Sequence, residues 1–374
     1  MMTSTPFKLL ANALAAALFF ASCFSLSAQD TTRKEPVIYS FIVNRVPPNF
    51  PAPLLGFVNI ASGNQKNAQI GFSNQNLLSL TGVQTGFVNT IGGRLNGTQI
   101  GFINVVKDSV KGVQTGFVNI AGRQVNGAQI GFVNTTKDSV NGLQTGFVNT
   151  TGSKLNGAQI GFVNTTKDTT KGAQVGFVNT AEKKISGAQI GFVNLAGKGI
   201  SGTQIGFVNV ADSITEGAPI GFISIVRKGG YQAFEVSASS LYPVNVAYKI
   251  GTERLYTSVL LSYNPDYSSQ VAYGASLGSV FNLSRTFAFI PEAAIQSSIE
   301  KRQQMFVTLA PLFSIKMFSG VSMVFGPTAS WVHKGTQLSP DLYEASPAFY
   351  NYNYDKRNGL SVGAQAGLRF TIKK

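Results

Sequence analysis

The chain has very little of the chemistry that most enzymes use. Its 374 residues include one cysteine, Cys23, and one histidine, His333, and only 12% of them are charged. One cysteine excludes an internal disulfide framework, and one histidine excludes a histidine-based metal cluster. A Ser-His-Asp arrangement would depend on His333 alone, which we expect to be an exposed loop residue. The sequence therefore predicts no catalytic, cofactor-binding or metal-binding residue and a protein that is not an enzyme.

Acidic residues are also scarce, which leaves a formal net charge of +14. A charge of this size can mark a nucleic-acid-binding protein when the basic residues form a patch. Here they are scattered, with 13 Lys and Arg against 6 Asp and Glu over residues 53–227, and 13 against 8 over residues 228–374. A solvated basic surface explains this distribution, so we predict no nucleic-acid partner.

Long apolar runs are confined to the amino terminus. Residues 1–28 combine Lys8 with the stretch LLANALAAALFFASCFSLSA, which ends in small residues at Ala28 and is typical of a cleaved signal peptide. Lipidation at Cys23, after the sequence FASC, and a retained membrane anchor stay open as alternatives. No later segment has the length of apolar residues that a membrane helix needs. The sequence thus predicts an exported protein.

Glycine is abundant, and much of it belongs to an internal repeat. A Gly-Phe pair occurs twelve times between Gly56 and Gly221 with a constant 15-residue period, in units that read G-x-Q-x-G-F-V-N. The asparagine recurs in eleven units and the glutamine in ten. We assign residues 53–227 to this repeat block and residues 29–52 to a linker or cap, in which Val43 indicates a degenerate earlier unit. Repetition on this scale is typical of a solenoid.

The motif alternates along its length, which indicates strands of a narrow parallel β-solenoid. Treated as one strand, it places Gln, the second Gly and Val on one face, and Ile or Thr, Phe and Asn on the other. We therefore expect the phenylalanines to form an internal spine, and Asn and Gln to form amide ladders about 4.8 Å apart along the axis. Twelve coils would make a rod of roughly 58 Å. An apolar residue six positions before the second glycine, such as Leu155, predicts a second short strand.

The size of the structural unit stays open at this point. Between residues 82 and 171 the residue before the second glycine alternates between Thr and Ile, which allows a true 30-residue unit. Such a unit could be a flattened two-sheet coil, a relic of duplication, or an up-and-down meander. We favour the relic or the flattened coil because the alternation fades after residue 172.

The C-terminal block, residues 231–374, loses this period and shows clean alternation instead. In the run from Leu360 to Ile372 every second residue is apolar and the residues between are small or polar, which predicts a strand with one apolar face. Similar runs start near Phe234, Val244, Tyr256, Val271, Phe287, Met305 and Val321. Eight such strands predict an antiparallel eight-stranded β-barrel, with a β-sandwich as the alternative. The segment from His333 to Asn358 is expected to be a long loop.

The G-x-Q-x-G-F-V-N repeats that follow an export signal resemble a family of bacterial cell-envelope surface-repeat proteins with short Gly- and Asn-containing repeats. The resemblance covers the repeat block, residues 53–227. It implies a location in the cell envelope, and it brings no catalytic activity with it.

These observations favour a non-enzymatic, outer-membrane-associated protein with a structural, adhesive or scaffolding role. Its expected partners are outer-membrane lipid and a surface or envelope protein or glycan. The alternative is an outer-membrane pore or transporter in which the repeats and the C-terminal strands form one large barrel. A barrel with an even number of strands and short periplasmic turns leaves its N-terminus in the periplasm, so the side on which the repeats lie stays open.

Overall fold

The computed structural model describes residues 37–265, 271–299, 304–333, 347–355 and 357–372. The predicted signal peptide, with Cys23, lies outside these residues. The described residues form strands and turns, so the predicted all-β class is confirmed. Among them, no helix is long and apolar enough to cross a membrane.

The first part of the fold is a parallel β-solenoid. Its strands are β1 (Val43–Val46), β2 (Leu54–Leu55), β3 (Val58–Ala61), β4 (Gln69–Ile70), β5 (Ser73–Asn76), β6 (Leu80–Thr85), β7 (Val88–Ile91), β8 (Leu95–Ile100), β9 (Ile103–Val106), β10 (Val110–Thr115), β11 (Val118–Ala121), β12 (Val125–Ile130), β13 (Val133–Thr136), β14 (Val140–Thr145), β15 (Val148–Thr151), β16 (Leu155–Ile160), β17 (Val163–Thr166), β18 (Thr170–Val175), β19 (Val178–Ala181), β20 (Lys184–Ile190), β21 (Val193–Ala196), β22 (Gly199–Ile205), β23 (Val208–Ile220) and β24 (Ile223–Lys228).

Each full coil of the solenoid contains two strands joined by a bend at the Gly-Phe pair. In the central coil, β14 and β15 are separated by Gly146–Phe147. Each strand pairs in parallel with its equivalent in the next repeat, so that Asn149 lies opposite Asn164 and Gln144 opposite Gln159. The structural unit is therefore a two-sheet coil with a 15-residue period, so a 30-residue structural unit and a meander are wrong. The relic of duplication concerns the history of the sequence and stays a prediction. The degenerate unit at Val43 also belongs to the solenoid, because β1 pairs with β3 in the same register.

The prediction that the phenylalanines form an internal spine is wrong. The rings stack, with the centroid of Phe147 4.9 Å from those of Phe132 and Phe162, but they stack on the outside, and Phe147 is 44% exposed. The motif is not one strand: the bend before Phe147 interrupts the alternation, so Phe147 points outward whereas Asn149 points inward and is fully buried.

The interior of the solenoid is filled by four columns of side chains. Asn and Gln form two of them, and small or branched residues at the end of one strand and the start of the next form the others. The apolar part of this interior includes Leu80, Ile91, Leu95, Val106, Val110, Ala121, Val125, Val140 and Leu155. Leu155 and its equivalents therefore begin the strand that contains the glutamine, and no separate short strand precedes it.

A glycine is required where successive coils come closest. Gly157 has a φ of +137°, and a Cβ atom added there would collide with the carbonyl oxygen of Gly142 in the coil before. The same contact recurs at 15-residue intervals along the array. Any larger residue would have to push two coils apart, which explains why glycine opens nearly every repeat.

The second part of the fold is an antiparallel barrel. Its strands are β25 (Tyr231–Ser239), β26 (Val244–Gly251), β27 (Tyr256–Tyr263), β28 (Val271–Gly278), β29 (Phe281–Asn282), β30 (Phe287–Ser298), β31 (Met305–Phe318), β32 (Val321–His333), β33 (Tyr350–Asn353) and β34 (Asn358–Thr371).

The eight long strands of this sheet close on themselves. β25 pairs with β34, from Ala233 opposite Thr371 to Ser239 opposite Gln365. The predicted closed eight-stranded barrel is therefore confirmed for the described residues, and the β-sandwich alternative is wrong. The sheets of the solenoid and of the barrel are separate, so the repeats are not strands of one large barrel.

The expectation for His333 needs correction. It is the last residue of β32, is half-buried, and its Nδ1 lies 2.9 Å from Oδ1 of Asn358 at the start of β34. His333 is therefore part of the barrel wall rather than an exposed loop residue.

Candidate functional site

The most extensive unusual surface of the solenoid is a row of exposed apolar side chains at the Gly-Phe bends. We call it the aromatic ridge and define it as the twelve phenylalanines from Phe57 to Phe222 with the residue that precedes each glycine, which is Ile in seven units. Neighbouring rings are stacked, with centroids 4.9 to 5.2 Å apart. Exposed apolar surface that is continuous over such a length marks an interaction site.

The buried asparagines hold the ridge in place. Nδ2 of Asn149 donates to Oδ1 of Asn164 at 2.9 Å and to the carbonyl oxygen of Ile160 at 3.0 Å. Ile160 immediately precedes the next Gly-Phe bend, so this second bond fixes the backbone where the chain turns. Because the arrangement repeats in almost every coil, the rings are held in one row. The predicted asparagine ladder is thus confirmed.

The glutamines form a second ladder that runs in the opposite direction. Nε2 of Gln159 donates to Oε1 of Gln144 at 2.7 Å, toward the N-terminus, whereas the asparagines donate toward the C-terminus. Within the described residues the glutamine ladder ends in two unpaired atoms, Nε2 of Gln69 and Oε1 of Gln204. The second atom is unpaired because Pro219 occupies the next position of the column. Because the two ladders donate in opposite directions, the side-chain amide dipoles of one column oppose those of the other.

The charged residues of the solenoid lie on the edge opposite the ridge. Every Lys, Arg, Asp and Glu of residues 56–228 falls between the sixth and tenth residue after a glycine of a Gly-Phe pair, in or beside the turn that joins the two sheets. We call this the charged edge. Lys183 lies 2.9 Å from Asp168 there, and its hydrogen bond holds the pKa of that carboxyl group below its ordinary value. The solenoid is therefore amphipathic: one edge of its coils is apolar and the opposite edge is charged.

The barrel has a charged interior. Nζ of Lys249 lies 2.9 and 2.8 Å from the two carboxylate oxygens of Glu292, and Nε of Arg369 lies 2.6 Å from a carboxylate oxygen of Glu235. The hydroxyl of Tyr256 donates to Glu292 at 2.7 Å. These residues, which we call the lumen cluster, contain two acids and two bases. Beside the cluster, Glu292 also lines an inner cavity of about 40 Å³ with residues such as Asn245 and Gln296, which is room for a few water molecules.

The outer wall of the barrel is apolar. The eight long strands carry five residues with charged side chains, and four of these belong to the lumen cluster. The fifth, Lys316, lies near the end of β31. Outward positions hold exposed apolar residues instead, such as Val259, Leu261 and Trp331. The barrel thus exposes large apolar side chains on its outside and buries most of its strand charges, while its interior also contains apolar side chains such as Ile290, Leu312 and Phe306.

The aromatic ridge reaches this outer wall. Oγ1 of Thr257, an outward-facing residue of β27, donates to the carbonyl oxygen of Phe222 at 2.7 Å, and β24 packs against β26 and β27. In earlier coils the carbonyl of the equivalent phenylalanine accepts a bond from the next coil. Thr257 therefore takes the place of a further coil, and the solenoid ends against the side of the barrel.

Sequence reasoning missed the aromatic ridge and the lumen cluster, although the sequence contains a signal for each. The confinement of charge to five of the positions in each repeat distinguishes the charged edge from the ridge. In the barrel, Glu235, Lys249, Glu292 and Arg369 interrupt otherwise uncharged strands. Charges at such positions indicate side chains that face inward and pair with one another.

No family model matches the chain, and the searches of curated proteins and of solved structures also found no match. Within the described part of the chain, no group of three or more His, Cys, Asp or Glu side chains is placed to hold a metal ion.

Proposed function

We propose that the protein is a non-enzymatic component of a bacterial cell envelope, held in the outer membrane by its barrel, with the solenoid as a rigid structural or scaffolding arm. The single observation that carries this proposal is the apolar outer wall of the barrel. Four charged side chains lie in the lumen, and the outward positions hold residues such as Val259, Leu261 and Trp331. A wall of this kind is stable where lipid replaces water.

The lumen cluster supports an anchoring role over a conducting one. Lys249 and Glu292 meet across the interior at 2.8 Å, and Arg369 and Glu235 occupy the space beside them. Eight strands make a lumen that side chains can fill, and here they fill it. A pore or transporter role would need an open path, and in the part of the barrel that the structure describes these four side chains occupy the interior, which favours the anchor.

The turns of the barrel favour a solenoid on the periplasmic side. The rim that carries both ends of the barrel sheet has short connections, such as residues 252–255 and 319–320. At the opposite rim, β32 ends at His333 and β34 begins at Asn358, so the longest stretch of chain between two neighbouring long strands starts and ends there. Outer-membrane barrels place short turns in the periplasm and long loops outside. The resemblance of the repeats to envelope surface-repeat proteins supports the location in the envelope.

Cell fractionation tests the location. We expect the mature protein to fractionate with the outer membrane and to stay there in high salt, because the barrel is held by apolar contact rather than by charge. Recovery from the soluble periplasm would contradict the proposal. Protease treatment of intact cells then tests the side: residues 53–227 should be protected until the outer membrane is permeabilised, whereas cleavage in intact cells would assign the arm to the surface and favour adhesion.

A further inference from the structure

The aromatic ridge is exposed along the whole solenoid. All twelve phenylalanines are exposed, from Phe57 to Phe222, and no charged residue lies near them within a coil. In the repeats from Gly56 to Lys228, the ten positions of each coil outside the charged edge contain no Lys, Arg, Asp or Glu. A surface of this length and composition is costly to leave in water, so we expect it to be covered.

The orientation of the rings limits what can cover them. Phe132, Phe147 and Phe162 are stacked with interplanar angles of 1°, so each inner ring is covered on both faces by its neighbours. Only ring edges point outward. Sugars and nucleic-acid bases are recognised by stacking on ring faces, which are not available here. A surface of ring edges and adjacent aliphatic side chains is instead able to bind flexible apolar chains.

The ridge is continuous with the apolar wall of the barrel. Its last phenylalanine, Phe222, accepts the hydrogen bond from Thr257, and the outward residues that follow Thr257 on β27 are Val259 and Leu261. Hydrogen bonds between the coils run along the solenoid axis, and the Thr257 side chain points out from the barrel wall. The bond between them therefore joins the last coil of the ridge to the outside of the barrel wall.

We infer that the aromatic ridge is a lipid-binding surface, by which the solenoid lies along the same membrane leaflet that surrounds the rim of the barrel. This inference rests on the proposed function, because it takes the barrel wall as lipid-facing. The phenylalanine edges enter the boundary between headgroups and acyl chains, as the apolar face of an interfacial helix does. The charged edge faces away from the membrane, where it is hydrated and free to meet soluble partners.

Quenching of tryptophan fluorescence by brominated lipid tests this inference on the full-length chain. The vesicles consist of phosphatidylcholine with bromine on the acyl chains close to the headgroup. Trp331, the only tryptophan, is 40% exposed on the outer wall and reports insertion of the barrel. In a Trp331→Phe background, Phe147→Trp places the reporter on the ridge, and Lys154→Trp places it on the charged edge of the same coil. We expect brominated lipid to remove most of the emission of wild type and of the Phe147→Trp variant, but not that of the Lys154→Trp variant.

The outcomes separate the inference from the function on which it rests. If wild type is quenched and the Phe147→Trp variant is not, the barrel is in lipid and the lipid-binding ridge is wrong. A Phe147→Trp emission that is blue-shifted but unquenched, together with a doubled mass in light scattering, would assign the ridge to a second copy and would also overturn the inference. Equal quenching of the Phe147→Trp and Lys154→Trp variants would mean non-specific immersion and would contradict it. Absence of quenching in wild type would reject the barrel anchor, and the inference with it.

Discussion

Asn149 and Asn164 lie one coil apart and share a buried hydrogen bond, with Nδ2 of Asn149 2.9 Å from Oδ1 of Asn164. The same bond joins nearly every pair of successive coils. It is the side-chain counterpart of the backbone ladder. The same Nδ2 atom also donates to the carbonyl oxygen of Ile160, which fixes the next bend of the aromatic ridge.

Asn149→Ala should destabilise the solenoid locally. It leaves Oδ1 of Asn164 without its donor, and a buried unpaired group costs about 1–3 kcal/mol. The carbonyl of Ile160 and Nδ2 of Asn134 each lose one bond but keep another, to the amide of Gly146 and to the carbonyl of Thr145. Hydrogen exchange of the backbone amides in β15 and β17 measures this. The matched control is Asn156→Ala, which removes an exposed rung of the same chemistry, Asn156 to Asn141 at 2.8 Å. Equal effects of the two substitutions would contradict a structural role for burial of the ladder.

Leu155→Ala should lower stability more than Phe147→Ala. Leu155 is completely buried, and its truncation should cost about 2–5 kcal/mol. The Phe147 ring is almost half-exposed, so its loss removes stacking with two neighbours but opens no cavity. Urea denaturation compares the stability of the two variants, with the resistance of the repeat block to protease as the readout. The reverse order would mean that the two faces of the coil are assigned the wrong way round.

Deletion of one complete unit, residues 142–156, should shorten the solenoid by about 4.8 Å and leave its fold intact, because each coil contacts only its neighbours. Deletion of residues 142–155 is the matched control. It removes one residue fewer and shifts every later side chain out of register, which moves buried Asn and Gln to the surface. Protease resistance of the repeat block is the readout, and equal resistance of the two deletions would contradict a strict 15-residue coil.

Lys249→Met should destabilise the barrel. It leaves Glu292 in the lumen without the ammonium group that lies 2.8 Å away, and breaking a buried ion pair costs about 3–5 kcal/mol. The temperature at which the folded barrel loses its compact migration on a detergent gel should fall. Lys316→Met, at an exposed position near the end of β31, should leave that temperature unchanged. A similar fall in both variants would argue against a specific role for the lumen cluster.

Much of the architecture could be predicted because it depends on spacing. The 15-residue period gives the coil, and two-residue alternation gives the barrel strands, six of whose predicted starts coincide with the observed ones: Val244, Tyr256, Val271, Phe287, Met305 and Val321. The amide ladders follow from the period, because identical side chains must stack when successive coils pair in the register of the repeat.

The position of the ridge could not be obtained from alternation alone. Alternation assumes that the strand continues, and Gly146–Phe147 is a bend, so the prediction that Phe and Asn share a face across it is wrong. The bend that carries Phe147 is held by the hydrogen bond from Asn134 to the carbonyl oxygen of Thr145, eleven residues later in the chain. That contact exists only once the coil has closed. The lumen cluster is a similar case, because Glu235 and Arg369 meet only when the first and last strands of the barrel pair.

The central claim of this account is that the outer wall of the barrel faces lipid. The most direct test is refolding of the full-length mature protein from urea with and without phosphatidylcholine vesicles, followed by electrophoresis of heated and unheated samples. We expect the compact, heat-sensitive form only when vesicles are present, because Val259, Leu261 and the other outward side chains need a lipid surface. A monodisperse, fully folded barrel in plain buffer would contradict the claim.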